Sequence, residues 1–302
     1  MGKTIKAFFL MFMATILFAS GPVFFKIAIN TGLPAGITIF YFFVVASLFG
    51  FITLRNKPKK ALSKKEIGGV TVAGVAWPIM IITYVIVFQM RTIVEAALLV
   101  GLAPIFSVIL TIILLKEKVK SYSLLLLSLV VGTISVLIFV GEGVDVTAGT
   151  VSITFLILGT LTAVNAAITR ITRESLRRNG IPMPVIMTHV TAVAALFSLV
   201  YIVLTNGITE QLLILPNINQ TLLILFMGIG TVWVPGLLTL KATEMAGSLS
   251  KLNILDYSTP ILTALIAFAL VGERGFEYIT LLISFVGIAV AAMLINKAIE
   301  KK

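Results

Sequence analysis

The chain has 302 residues, 59% of them hydrophobic and only 12% charged, with no cysteine and a single histidine. A mean hydropathy of +1.14 excludes a water-soluble surface and with it the soluble enzymes, while the missing cysteines and lone histidine exclude disulfides, thiolate chemistry and His-cluster metal sites. The net charge of +11 lies in short clusters between apolar runs, where it orients a chain in a bilayer and calls for no nucleic acid.

A helix needs about 20 apolar residues to cross a hydrocarbon core of about 30 Å, and helices satisfy their own backbone groups there. Ten such runs follow in order, at 7–29, 35–54, 67–89, 93–115, 122–140, 149–169, 184–205, 221–241, 247–271 and 276–296. The expected fold is all-α and integral to the membrane. The first run follows Lys3 and Lys6 like a signal peptide, but Pro22 adjoins the one small-residue cleavage point and nine spans follow, so it reads as a retained helix. With the N-terminus inside, nineteen lysines and arginines fall on the cytoplasmic side, among them Arg170, Arg173, Arg177 and Arg178 after the sixth run. Only Lys26, Arg91 and Arg274 fall outside. Both termini are therefore expected in the cytoplasm, and the chain in the cytoplasmic membrane.

The sequence also repeats. A shift of 156 residues sets Gly74 on Gly230, Trp77 on Trp233, Thr83 on Thr239, Pro104 on Pro260 and Glu117 on Glu273, with Lys118 on Arg274. A one-residue slip then pairs Gly132 with Gly287. Five helices per copy is an odd number, so the second copy enters the membrane from the opposite side. The expected organisation is two inverted five-helix repeats, 1–145 and 146–302, with a site near the midplane between them.

"LLKEK" at 114–118 and "LVGER" at 270–274, each with a proline 13 residues before its glutamate, resemble the EamA repeat of the drug/metabolite transporter superfamily. "ILFASGPVFFKIAI" at 16–29 is similar to that family's first helix, with Ala19-Ser20-Gly21 where the family has Trp-Gly. The resemblance implies a ten-helix carrier of small metabolites, often an exporter, with a central cavity walled by helices 1–4 and 6–9 and with helices 5 and 10 outside. Between helix 8 and Pro260 this chain is about one turn longer than many members, so the analogy is weakest there.

Ionisable groups deep in the bilayer are costly and mark function. Asp256 is the deepest, in "KLNILDYSTP"; at α-helical spacing Asn253 and Pro260 share its face, and Pro260 lacks the N–H that would bond the Asp256 carbonyl. Carboxylate and carbonyl together fit an amine or a coupling proton; a structural pairing across the bundle is the alternative. His189 is a second proton-coupling candidate, against a simple hydrogen bond to its neighbours. Trp77 and Trp233, with Tyr84 and Tyr257, offer aromatic faces to a substrate or to packing. Asn165 is a polar wall group or interhelical glue. Lys26 is an outer gate, a partner for a substrate carboxylate, or a snorkelling cation.

These residues lead to an expected secondary carrier of a small organic metabolite such as an amino acid, working by alternating access. No cofactor is called for, since no Walker motif is present, and the expected partners are the small-molecule substrate and the lipid bilayer, with a homodimer left open. Three rivals remain: a carrier of quaternary or aromatic cations, an integral-membrane enzyme, for which one histidine and one deep aspartate are poor material, and a channel.

Overall fold

The computed structural model describes residues 2–55, 61–90, 92–141, 153–206, 215–272 and 278–299. Arg91, Glu273 and Arg274 lie outside them. The described chain is helical: α1 (Lys3–Asn30), α2 (Ala35–Leu54), α3 (Lys64–Met90), α4 (Ile93–Val100), α5 (Ala103–Leu115), α6 (Tyr122–Gly141), α7 (Ile153–Arg178), α8 (Met183–Asn206), α9 (Ile218–Phe226), α10 (Val234–Ala246), α11 (Leu249–Asn253), α12 (Thr259–Val271) and α13 (Tyr278–Ala298). A π-helical stretch, Met227–Trp233, joins α9 to α10, and a 3-10 stretch, Ile254–Ser258, joins α11 to α12.

Six helices among the described residues are long and apolar enough to cross a membrane: Lys3–Asn30, Ala35–Leu54, Lys64–Met90, Met183–Thr205, Ile218–Ala246 and Leu249–Val271. Large apolar side chains such as Leu126, Leu196, Leu222 and Leu282 stand exposed around the bundle. In water that surface would aggregate, whereas in lipid it is the required finish.

The 156-residue period of the sequence reappears in the elements. The second copies start 156 residues after the first: α4 at 93 and α11 at 249, α5 at 103 and α12 at 259, α6 at 122 and α13 at 278. Both fourth helices break just before their proline. Pro104 and Pro260 each occupy the first turn of the helix that follows the break, the position where a missing N–H costs nothing. Packing follows the same pairing: α3 lies on α7 as α1 lies on α10, α5 on α7 as α12 on α1, and α6 on α13.

Two sequence boundaries need correction. The sixth helix does not stop at residue 169. "ITRESLRR" contains no helix breaker and buries both Ile171 and Leu176, so α7 runs on to Arg178. It ends where Gly180 takes a left-handed φ of 79°, with Ile181 N–H donating to the Leu176 carbonyl. The ninth helix is not continuous either. The 3-10 stretch breaks the α-helical spacing that would align Asn253, Asp256 and Pro260 on one face.

One end of the bundle is tied together by a buried carboxylate. Lys116 closes α5 in a left-handed turn (φ 51°), which turns Glu117 back into the protein. Its Oε1 accepts from Arg178 Nη2 at 2.6 Å and from the Leu249 backbone N–H at 3.0 Å, and its Oε2 accepts from Ser248 Oγ at 2.8 Å. Arg178 also donates to Glu174 Oε1 (2.7 Å) and to the Leu115 carbonyl (3.2 Å). At the same end the Lys120 N–H donates to the Ala298 carbonyl at 2.7 Å. A different tie links the α1–α2 turn to α9: Gln220 Nε2 donates to the Thr31 carbonyl at 2.9 Å.

Candidate functional site

A cavity of about 170 Å³ opens between α1, α2, α3, α4, α5, α7, α12 and the two non-α stretches. Its wall is mostly apolar and aromatic, through Phe18, Phe25, Phe42, Trp77, Tyr84 and Phe88. Three charged side chains enter it: Arg170 and Arg173 from α7, and Asp256 from the 3-10 stretch. The π-helical stretch supplies Met227, Thr231 and Val232. It arises where Gly228 and Gly230 loosen the helix ahead of Pro235, and Val234 N–H reaches back five residues to Ile229. Thr162 of α7 donates to Thr83 of α3 at 2.7 Å and fixes that part of the wall.

Asp256 is 8% exposed and is held by Arg170: Nη2 donates to Oδ1 at 3.1 Å, and Nη1 pairs with Oδ2. The pair joins one charge-assisted hydrogen bond to a second ion-pair contact. Arg173, one turn further along α7 and 4% exposed, is built differently. Its Nε donates to the Thr169 carbonyl at 3.3 Å, its Nη1 meets Met187 Sδ at 3.5 Å, and its guanidinium carbon lies 4.5 Å from the centroid of the Trp77 ring. No carboxylate among the described residues pairs with it. A cation–π contact contributes about 0.5–2 kcal/mol. Burying an ion costs several kcal/mol, so Trp77 alone does not offset the charge.

The structure therefore brings three of the residues singled out from the sequence, Asp256, Trp77 and Tyr84, into one cavity. The others stand elsewhere. Trp233 is buried with its ring edge-on to Phe49 at 5.0 Å, and its indole N–H has no partner among the described residues. Asn165 turns back on its own helix, donating to the Leu161 carbonyl at 2.8 Å. Tyr257 is fully buried against α6, its ring over Gly132 and its hydroxyl 3.4 Å from Thr133. His189 contacts the Val185 carbonyl through Nδ1 at 2.9 Å and the ring of Phe51. Lys26 is half-buried in α1, and neither it nor His189 lines the cavity. Asn253 is the last residue of α11.

Sequence reasoning placed Arg170 and Arg173 in a cytoplasmic loop because arginines after an apolar run mark an end. The signal that would have recovered them is their spacing. Thr162, Ala166, Thr169, Arg170 and Arg173 continue one helical face, while Ile171 lies on the opposite one.

Residues 5–139 match the model of the EamA-like transporter family. That family lies within the drug/metabolite transporter superfamily, and the match spans a little under half of the chain. The EamA match, with six membrane-length apolar helices among the described residues, points to a multi-pass membrane protein similar to transporters of the drug/metabolite type. No curated protein matches it in sequence. In fold, 28 solved chains match. One, a crystal structure described only as that of a protein, superposes with a TM-score of 0.72 at 16% identity and covers 96% of both chains. At that identity it speaks for the fold alone, and it does so for nearly the whole EamA-containing chain.

Proposed function

We propose that the chain is a secondary-active carrier, working as an exporter of a small organic metabolite such as an amino acid across the cytoplasmic membrane. Transport proceeds by alternating access of two five-helix halves, 1–145 and 146–302, around the cavity that holds Arg170, Arg173 and Asp256. The observation that carries this reading is that cavity, enclosed in an EamA-type bundle and furnished with charged groups that lipid would not tolerate.

The element bounds support the inverted ten-helix arrangement. Residues 117, 178, 248 and 298 meet at one end of the bundle, and two helical passages separate each from the next. Thr31 and Gln220 meet with six passages between them. Even numbers on both counts are what alternating spans require. The quaternary-cation reading loses support because Arg173 already occupies the face of Trp77. The enzyme reading loses support because the one carboxylate of the cavity wall among the described residues is engaged by Arg170.

Counterflow in proteoliposomes tests the proposal. Vesicles carrying the protein and loaded with unlabelled amino acids or organic acids should take up a labelled counterpart transiently, with saturation. Non-saturable flux without trans-stimulation would indicate a channel and overturn the carrier reading.

A further inference from the structure

Resting on that carrier reading, we propose that Arg173 is the anion-binding residue of the cavity. The transported class is then a small organic monocarboxylate with an apolar or aromatic body, for which a charged amine is not required.

The argument starts from charge. Arg170 and Asp256 are paired with each other, which leaves Asp256 a poor receptor for a substrate amine. Arg173 then carries the remaining positive charge, at 4% exposure, in the wall of the cavity. Its five N–H donors meet one carbonyl and one sulfur. The rest of the fork, Nη2 included, has no protein acceptor among the described residues. One charge uncompensated among the described residues is balanced by one negative charge, which selects a monocarboxylate over a phosphate dianion. The planar fork also fits a carboxylate at two points. Trp77 beneath and Met187 beside the guanidinium hold it in place, so little rotamer freedom is lost when the anion arrives. The remainder of the wall accepts an apolar body through Phe18, Phe25, Phe42 and Phe88.

The experiment uses the full chain, in detergent for binding and in proteoliposomes for counterflow, with four probes of similar bulk: 3-phenylpropanoate, its neutral amide, 3-phenylpropylamine and phenylalanine. The acid should bind and exchange. The amide and the amine should be weaker by about tenfold or more, since each removes a charge-assisted bond. Phenylalanine should fall within a few-fold of the acid. Arg173→Gln should abolish the preference of acid over amide, and Arg173→Lys should keep part of it. Because the preference is read on the unsubstituted protein, the test survives a variant that does not fold. Equal binding of acid and amide, preference for the amine, need of the α-amino group, or no binding of any probe overturns the proposal and leaves the carrier reading to its own wider screen. Acid binding that depends on Arg173, without counterflow of any probe, supports the anion site and overturns the carrier reading instead.

Discussion

At the scale of single residues the cavity is organised by one ion pair and one cation without a carboxylate, and the two call for different behaviour on substitution. Asp256 and Arg170 expose only 10% and 14% of their side chains, so removing either partner leaves a buried charge. Asp256→Asn and Arg170→Gln should each destabilise the protein by about 3 kcal/mol or more, whereas the double variant should lose clearly less than their sum. Reversible unfolding of the four proteins in mixed detergent measures this coupling. Additive losses would mean that the pair contributes no mutual energy. Glu117 at the bundle end is of another kind: its three donors come from two elements, Arg178 on one side and Ser248 with Leu249 on the other. That explains physically why a glutamate should end the fourth helix at "LLKEK", since it caps the N-terminus of α11 and ties α7 to it. The sequence showed the residue and its repetition, but the partner was hidden because Arg178 had been read as a loop charge.

At the scale of elements, close approach decides which helices can pair. A Cβ built on Gly74 of α3 would lie 2.5 Å from Val193 Cβ and 2.9 Å from the Val190 carbonyl oxygen of α8. Neither atom is the end of a flexible side chain, so Gly74→Ala should force α3 and α8 apart and cost about 1–3 kcal/mol. Gly68, one and a half turns earlier, has nothing within 4 Å. Gly68→Ala serves as the control and should leave thermal stability unchanged or slightly raised, because alanine is the better helix former. Equal effects of the two substitutions would refute the packing argument. The apolar runs were legible in the sequence since lipid demands length and hydropathy together, and their repeat was legible because Pro104 and Pro260 punctuate both copies. The inner detail was not. The 3-10 stretch around Asp256 and the π-helical stretch ending at Trp233 depend on tertiary packing and on freed carbonyls, which no local period reports. For the same reason Tyr257, read as a cavity residue, lies instead against Gly132 of α6.

At the scale of the whole molecule, orientation follows from where the basic residues collect and from which ends meet. The end marked by Glu117 and Arg178 carries Lys116, Lys118, Lys120 and Arg177 as well, and the proposed orientation places that end in the cytoplasm. The opposite end, where Gln220 meets Thr31, carries little charge nearby. Because the chain has no native cysteine, single cysteines report sidedness without background. Asn30 and Asn219 are exposed near the second tie, and Lys118 and Asn179 near the first. Asn30→Cys and Asn219→Cys should react with an impermeant maleimide on intact cells. Lys118→Cys and Asn179→Cys should react only after permeabilisation. Thr31 and Gln220 are bonded to each other, so the two outer sites must agree, as must the two inner ones whatever the overall orientation. A full reversal would mean that the basic cluster does not set the orientation of this chain. Disagreement within either pair would contradict the even number of spans between them, and the two-half carrier with it.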